Sequence, residues 1–303
     1  MKLNIALIGF GNSGKRFFLH LKKNKHVNLV KIFVKNKREI LYKNKNICGV
    51  YEDLSSLTIL DAAIIATDPQ VSYKYTRYFL DKNVPILIEK PFCKTLHQLN
   101  IISNLQKKKK TTFLINYSDL FDQKLIYLLS KGLKKIGKMQ SIICNYGHNK
   151  SLYSKKNFLS PLQNWISHPI SIFLKLCGNI TKFKIIHYKF KVQKSLVYEK
   201  ATIKLIKNNL NLIFNFSNFP NTYMRNIKIV GSHGIISFDS YDNKNNYFFN
   251  KKKKFLIKKK ISSLQNIIII FLDSLRSKKS ISNLDLGVKE RKLSIGILKQ
   301  IKK

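Results

Sequence analysis

"LIGFGNSGKRFF", residues 7–18, decides the fold, because its glycines fit two phosphate-binding loops with different chemistry. Read as Gly9-Phe10-Gly11-Asn12-Ser13-Gly14 it is the dinucleotide fingerprint G-x-G-x-x-G. Read through Gly14-Lys15 it is a triphosphate-cradling P-loop, one residue short. A P-loop lysine is followed by Ser or Thr, whose hydroxyl holds magnesium, and here the position is Arg16. Asp61 precedes the apolar run of its strand instead of following it, so the acidic strand end of a P-loop enzyme is missing too. In the dinucleotide reading Gly9 makes the tight turn, Gly11 lets the backbone approach a pyrophosphate, and Gly14 lets helix and strand pack closely. Asn12 and Ser13 then open the helix whose N-terminus faces the phosphates.

The surroundings supply the context that this motif needs. "KLNIALIGF" is a continuous apolar strand, and the helix after the glycines sets Phe17, Phe18 and Leu21 on one face. Further buried-type strands follow in "VNLVKIFV", "DAAIIAT" and "VPILIEK", with helical stretches at "PQVSYKYTRYFLDKN" and at roughly residues 95–108. Strands alternating with helices predict a parallel, Rossmann-type α/β sheet.

Beyond "TTFLINY" the pattern changes, which places a domain boundary after residue 118. The expectation is a dinucleotide-binding domain over 1–118 and a substrate and oligomerisation domain over 119–303. In the second domain the segments "KMQSIICNYG", "KFKIIHYKFKV", "YEKATIKLIK", "NLNLIFNFS", "RNIKIVG" and "GIISFDS" follow one another with short turns. They predict an α+β domain with a largely antiparallel open sheet, one helix near 161–176 and two closing helices near 263–276 and 285–301.

Composition bounds the function. With 303 residues, 44% of them hydrophobic and 12% aromatic, the chain can bury two cores despite a net charge of +42. Such a charge is the footprint of a nucleic-acid binder. The lysines, however, accompany asparagine and isoleucine along the whole chain, as an A/T-rich coding sequence would produce, and the densest runs fall at helix ends and hairpin flanks. The expectation is therefore no specific nucleic-acid partner. Cys48, Cys93, Cys144 and Cys177 show neither C-x-x-C nor metal-ligand spacing, so no metal is expected and a reducing, cytoplasmic compartment fits. The longest apolar run, Ile267–Leu272, is far short of the ~20 residues of a membrane span.

The fingerprint also asks for an acid at the end of the second strand, to hold the ribose hydroxyls. The sequence there is Val34-Lys35-Asn36-Lys37-Arg38. A basic residue such as Lys35 suits a ribose 2′-phosphate and tips the expectation from NAD to NADP.

"ILIEKPF", Ile86–Phe92, with "GFGNSG" before it and "DAAIIATDP" between, resembles the Gfo/Idh/MocA oxidoreductases, the glucose-fructose oxidoreductase and inositol dehydrogenase family. The resemblance extends to the late "IKIVGSHGIISFD" pair. It implies that Lys90 contacts both the substrate hydroxyl and the nicotinamide region, with Glu89 and Pro91 shaping a turn whose proline peptide is often cis. Ala66, Thr67, Asp68 and Pro69 would line the cofactor, and Asn116 and Tyr117 would face the substrate. The family's Asp-x-x-x-His signature maps onto Asn164-Trp165-Ile166-Ser167-His168, so the histidine is present and the aspartate is not.

Chemistry gives these residues distinct roles. Oxidising a secondary alcohol needs a base for the hydroxyl proton, and an imidazole with its ordinary pKa of ~6.5 exchanges protons near neutrality. That makes His168 and Lys90 the expected catalytic pair, with Lys90 stabilising alkoxide charge. Asn164 can hydrogen-bond a sugar but cannot act as a base, and Trp165 is expected as pocket wall. His148, His187 and His233 are read as structural. The expected function is NAD(P)-dependent hydride transfer at a hydroxyl or keto group of a sugar, sugar nucleotide or cyclitol, by a homo-oligomer. Three alternatives remain: a catalytically impaired dinucleotide-binding protein of the same fold, a basic nucleic-acid-binding protein, and a reductase of a linear tetrapyrrole or imine.

Overall fold

Six parallel strands form the first sheet of this computed structural model, which describes residues 2–34, 48–50, 60–148, 159–242, 246–248 and 261–301. They are β1 (Leu3–Ile8), β2 (Val27–Val34), β3 (Cys48–Val50), β4 (Ala62–Ile65), β5 (Ile86–Ile88) and β6 (Phe113–Ile115). Their order is β3-β2-β1-β4-β5-β6, the doubly wound arrangement whose ligand crevice lies beyond the carboxyl ends of β1 and β4. Residues Ile5–Ile8, Ala62–Ile65 and Ile86–Ile88 are wholly buried, as a sheet covered on both faces requires.

The crossovers are helical for local reasons. In α1 (Asn12–Lys22) Phe17, Phe18 and Leu21 make the buried face. In α2 (Pro69–Asp81) Asp68 caps the first turn, proline occupies the tolerated first position, and Tyr75, Phe79 and Leu80 are buried. In α3 (Leu96–Lys109) Thr95 and Gln98 form a reciprocal capping box.

Two compact units result: residues Met1–Tyr117 with Leu264–Val288, and residues Ser118–Ser263 with Lys289–Lys303. The difference from a contiguous division at residue 118 is the return of 264–288 to the first unit. Hydrogen bonding accounts for it. Phe113 N–H donates to Ile281 O at 2.9 Å, and the Asn283 side chain both accepts from Ile115 N–H, at 2.8 Å, and donates to Ile115 O, at 2.9 Å. The late segment thereby satisfies the edge groups of β6. Glycine is needed nearby, since a Cβ at Gly287 would stand 2.2 Å from Ile115 Cδ1.

The second unit is built on seven strands: β7 (Met139–His148), β8 (Lys182–Gln193), β9 (Leu196–Lys207), β10 (Leu210–Ser217), β11 (Tyr223–Gly231), β12 (Ile235–Asp239) and β13 (Tyr247–Phe248). Their order is β13-β12-β11-β7-β10-β9-β8, antiparallel throughout except that β7 and β10 run parallel. Alternation decides the faces. Ile142, Cys144 and Tyr146 are buried on one side of β7, while Asn145 on the other joins a side-chain ladder, Thr202–Asn215–Asn145–Asn226, that crosses four strands.

Helices of this unit pack on the sheet, α4 (Gln123–Gly132) on β12 and α5 (Pro161–Trp165) on β9 and β10. The stretch expected as one helix near 161–176 is two, α5 and α6 (Ser167–Cys177), with Ile166 between them. A short 3-10 turn, Ser118–Phe121, and α4 precede the sheet and were not anticipated. Their signal is in the sequence, since Asp122 accepts from Lys124 and Leu125 N–H groups as an N-cap while Leu125 and Leu128 are buried. The closing helices are α7 (Ser263–Arg276) and α8 (Leu284–Ile301).

Candidate active site

The glycine turn is where backbone geometry speaks first. Gly9 has φ +97°, and a Cβ there would stand 2.4 Å from Ala66 O, so neither the conformation nor the space admits a side chain. A Cβ at Gly14 would lie 2.1 Å from Gly9 O, which is the close helix-to-strand contact expected of the third glycine. Gly11 is different: a Cβ there would meet nothing within 4 Å. Space is thus kept over the second glycine, where a pyrophosphate has to approach. No side chain caps α1 and no acid sits in its first turn, so the positive end of the helix is left for an anion. These residues fit a dinucleotide.

At the end of β4, Ala66 is buried and Ala66 N–H donates to Ile8 O at 2.7 Å. Thr67 Oγ1 and Ser72 Oγ are 2.9 Å apart, and Asp68 Oδ1 accepts from Gln70 and Val71 N–H at 3.0 and 3.2 Å. Asp68 and Pro69 therefore build the start of α2 at the place where the crevice of such sheets lies. Lys35 falls outside the described residues.

At the end of β5, Glu89 N–H donates to Ile65 O at 2.9 Å, and Asn116 Nδ2 donates to Glu89 Oε1 at 2.9 Å. Lys90–Pro91 is a cis peptide. Burial pushes the Glu89 carboxyl above its ordinary pKa, an effect that Lys90, the Asn116 amide and Arg16 partly oppose. Asn116 is thus buried as the support of Glu89. Tyr117 is wholly buried in the core of the first unit, its hydroxyl near Gly287.

The second unit gathers a different set of residues. His168, on the first turn of α6, is 7% exposed, and its Nδ1 lies 3.5 Å from both Asp119 Oδ2 and Ser118 Oγ. Tyr146 Oη donates to Asp119 Oδ2 at 2.6 Å, and Arg225 Nη2 donates to Asp119 Oδ1 at 2.5 Å and to Ser118 Oγ at 3.0 Å. Tyr146 and Arg225 are direct partners across the β7–β11 ladder, so the sheet register places hydroxyl and guanidinium side by side on one face. Burial and the Asp119 charge push the Tyr146 hydroxyl well above its usual pKa. Burial works against the Arg225 charge, but Asp119 and Tyr146 more than offset it and the guanidinium stays charged.

Aromatic rings frame this group. The His168 ring stacks on Tyr146 at 6.1 Å and tilts against Trp165 at 5.6 Å; Trp165 meets His148, His148 meets Tyr223, and Tyr223 stacks on Tyr241 at 4.1 Å. Arg225 lies over Tyr146 and Trp165, 5.8 and 5.6 Å from their centroids. Trp165 sits among these rings, and His148 belongs to the same run. Asn164 lies on α5, its N–H donating to Ser160 O.

The structure thus brings Gly9–Gly14, Ala66–Pro69 and Glu89–Lys90 to the strand ends of the first unit, and Trp165 and His168 together in the second. Asp119, Tyr146 and Arg225 were missed. The sequence carried no signal that set Asp119 apart, since Asp122, Glu199 and Glu290 are buried as well. Among the described residues no group of three His, Cys, Asp or Glu could hold a metal, and no helix is long and apolar enough to cross a membrane.

Sheet order, glycine turn and strand-end residues define the class of the first unit, a dinucleotide-binding Rossmann domain followed by an α/β partner with a mixed sheet. Residues 3–117 match the model of the oxidoreductase family with an NAD-binding Rossmann fold, GFO_IDH_MocA. No curated protein sequence matches the chain. Solved structures of similar fold include biliverdin reductase from Synechocystis sp. PCC 6803, in complex with biliverdin and NADP+ (TM-score 0.82, 15% identity, 99% of each chain covered). UDP-N-acetylglucosamine 3-dehydrogenase GnnA from Acidithiobacillus ferrooxidans has a TM-score of 0.77 at 15% identity, covering 99% of this chain and 97% of that one. KijD10, a 3-ketoreductase from Actinomadura kijaniata in complex with TDP-benzene and NADP, also has a TM-score of 0.77, at 12% identity over 97% and 96% of the chains. At such identities the likeness establishes the fold.

Proposed function

We propose that this chain is an NAD(P)-dependent oxidoreductase acting on a hydroxyl or keto group of a sugar, sugar nucleotide or cyclitol. The observation that carries the reading is the glycine turn, packed shut at Gly9 and Gly14 and open over Gly11. When bound, the nicotinamide supplies the hydride chemistry. The residues of the chain do the rest. The N-terminus of α1 and Gly11 hold the pyrophosphate, and Lys90 stabilises negative charge on the substrate oxygen. His168 takes the hydroxyl proton in oxidation and returns it in reduction. Asn116 keeps Glu89 in place beside Lys90. The neighbours GnnA and KijD10, named for a 3-dehydrogenase and a 3-ketoreductase, support a sugar-nucleotide substrate. NADP is favoured by the basic residue Lys35 after β2. A cytoplasmic homo-oligomer completes the reading, with the dispersed lysines as solvated surface.

One observation favours a second reading. The rings from Tyr241 through Tyr223, His148 and Trp165 to His168 suit a planar conjugated substrate, and biliverdin reductase shares the fold. Trp165 Nε1, buried without a hydrogen-bond partner among the described residues, would then meet an acceptor of that substrate.

The test is titration with NADPH and NADH in moderate salt, following quenching of Trp165 fluorescence and energy transfer to the nicotinamide. Saturable binding is expected, tighter for NADPH. Binding of neither would overturn both readings. A screen of sugar nucleotides against linear tetrapyrroles then separates them.

A further inference from the structure

Two donors and one imidazole nitrogen converge on a single carboxylate in the second unit. Asp119 is 3% exposed, and each of its oxygens is taken: Oδ1 by Arg225 Nη2, and Oδ2 by Tyr146 Oη with His168 Nδ1 3.5 Å away. A carboxylate accepts only, so its neighbours have to present hydrogens to it. Tyr146 and Arg225 do so with short bonds. A His168 ring without a proton on Nδ1 would set that lone pair against Oδ2, so the arrangement favours the proton on Nδ1.

We propose that Asp119 is the positioning residue of His168: pinned by Arg225 and Tyr146, its carboxylate keeps a proton on Nδ1 and leaves Nε2 as the atom that exchanges protons. What His168 then does rests on the oxidoreductase reading; the arrangement of the imidazole does not. The role is that of a carboxylate behind a catalytic histidine, where it fixes ring orientation and tautomer and stabilises the imidazolium. Here the carboxylate reaches the ring from the 3-10 turn at Ser118–Phe121, not from position 164 on the helical segment before it.

The surroundings set the size of the effect. The groups facing the imidazole are Ser118 and Asp119 on the turn, Tyr146 on β7, Trp165 on α5 and Arg225 on β11, with His148 beyond Trp165. Arg225 offsets part of the Asp119 charge that the imidazole faces, through its bond to Oδ1.

The experiment is an NMR pH titration of the full chain labelled in its histidine rings, with the His168 signals assigned through His168→Gln. In Asp119→Asn the His168 pKa is expected to fall by at least about one pH unit, because Arg225 then acts on it unopposed. In Tyr146→Phe, which keeps the stacked ring and frees Oδ2 of one donor, it is expected to rise. An unchanged His168 pKa in Asp119→Asn overturns the inference; if that variant does not fold, an unchanged or lower value in Tyr146→Phe does so. NADPH binding is measured on the same wild-type sample. Its absence would sink the oxidoreductase reading and leave the imidazole result standing, so the two failures are distinguishable.

Discussion

Arg225 and Asp119 form an ion pair whose nitrogen and oxygen are 2.5 Å apart, with the carboxylate almost wholly buried and the guanidinium largely so. Such a pair stabilises little against an apolar replacement, but breaking it by removing one partner leaves a buried charge uncompensated. Arg225→Met is therefore expected to cost roughly 3 kcal/mol in urea denaturation. Asp119→Asn added to Arg225→Met should restore at least half of the loss. Equal losses in the single and double variants would show that the charges do not interact.

The three glycines should separate under substitution. Gly14→Ala forces a Cβ against Gly9 O and should lower stability by about 2 kcal/mol. Gly11→Val puts its side chain into open space, so its thermal stability should stay near that of the wild type. Its dinucleotide affinity should fall at least tenfold, as read by fluorescence titration. Unimpaired binding by Gly11→Val would remove the pyrophosphate from this turn.

Glu89 gives a pH signature. Its carboxyl is raised by burial, so the folded state holds a proton at pH values where the unfolded chain has lost it. Stability accordingly falls as pH rises from the ordinary glutamate range, ~4.5, through the raised folded value, and stays lower above it. Glu89→Gln removes that penalty while its amide oxygen still accepts from Asn116. It should melt a few degrees higher than wild type at pH 7, with the difference vanishing below about pH 4. A lower melting temperature at pH 7 would mean that the neighbouring cations outweigh burial.

Lys90→Met and His168→Gln should each leave NADPH binding within a few-fold of wild type. Each should also lower turnover of whichever substrate the screen identifies, by about 100-fold or more. Equal turnover in both variants and wild type would favour a binding protein without catalysis.

Lys35→Asp should shift preference from NADPH toward NADH by at least about tenfold in the ratio of dissociation constants. No shift would make that lysine part of the general lysine excess.

Much of the first unit was legible because its determinants are local. Continuous apolar runs made β1, β4 and β5, the Thr95–Gln98 pair started α3, and Gly9, Gly11 and Gly14 carry their meaning in six consecutive residues. The ends of β4 and β5 followed from the same runs, and Glu89-Lys90-Pro91 stands where the motif put it. Two things were obscured in that unit. Residues 264–288 return to the edge of β6 through Asn283 and Ile281, a pairing across some 168 positions with no local signature. Tyr117, two residues past the end of β6, is packed into the core.

By itself the sequence determined the Rossmann domain and its glycine turn, and it put His168 forward as a candidate. Only the tertiary structure decided what that imidazole faces. Asp119 and Arg225 are 106 residues apart and meet because β11 pairs with β7 in a register that sets Arg225 beside Tyr146. That register is fixed by a ladder of backbone hydrogen bonds and by which face of each strand is buried, properties of the assembled sheet and of no single segment. A motif read along the chain shows no aspartate at position 164; the turn before the sheet brings a carboxylate to the ring from position 119.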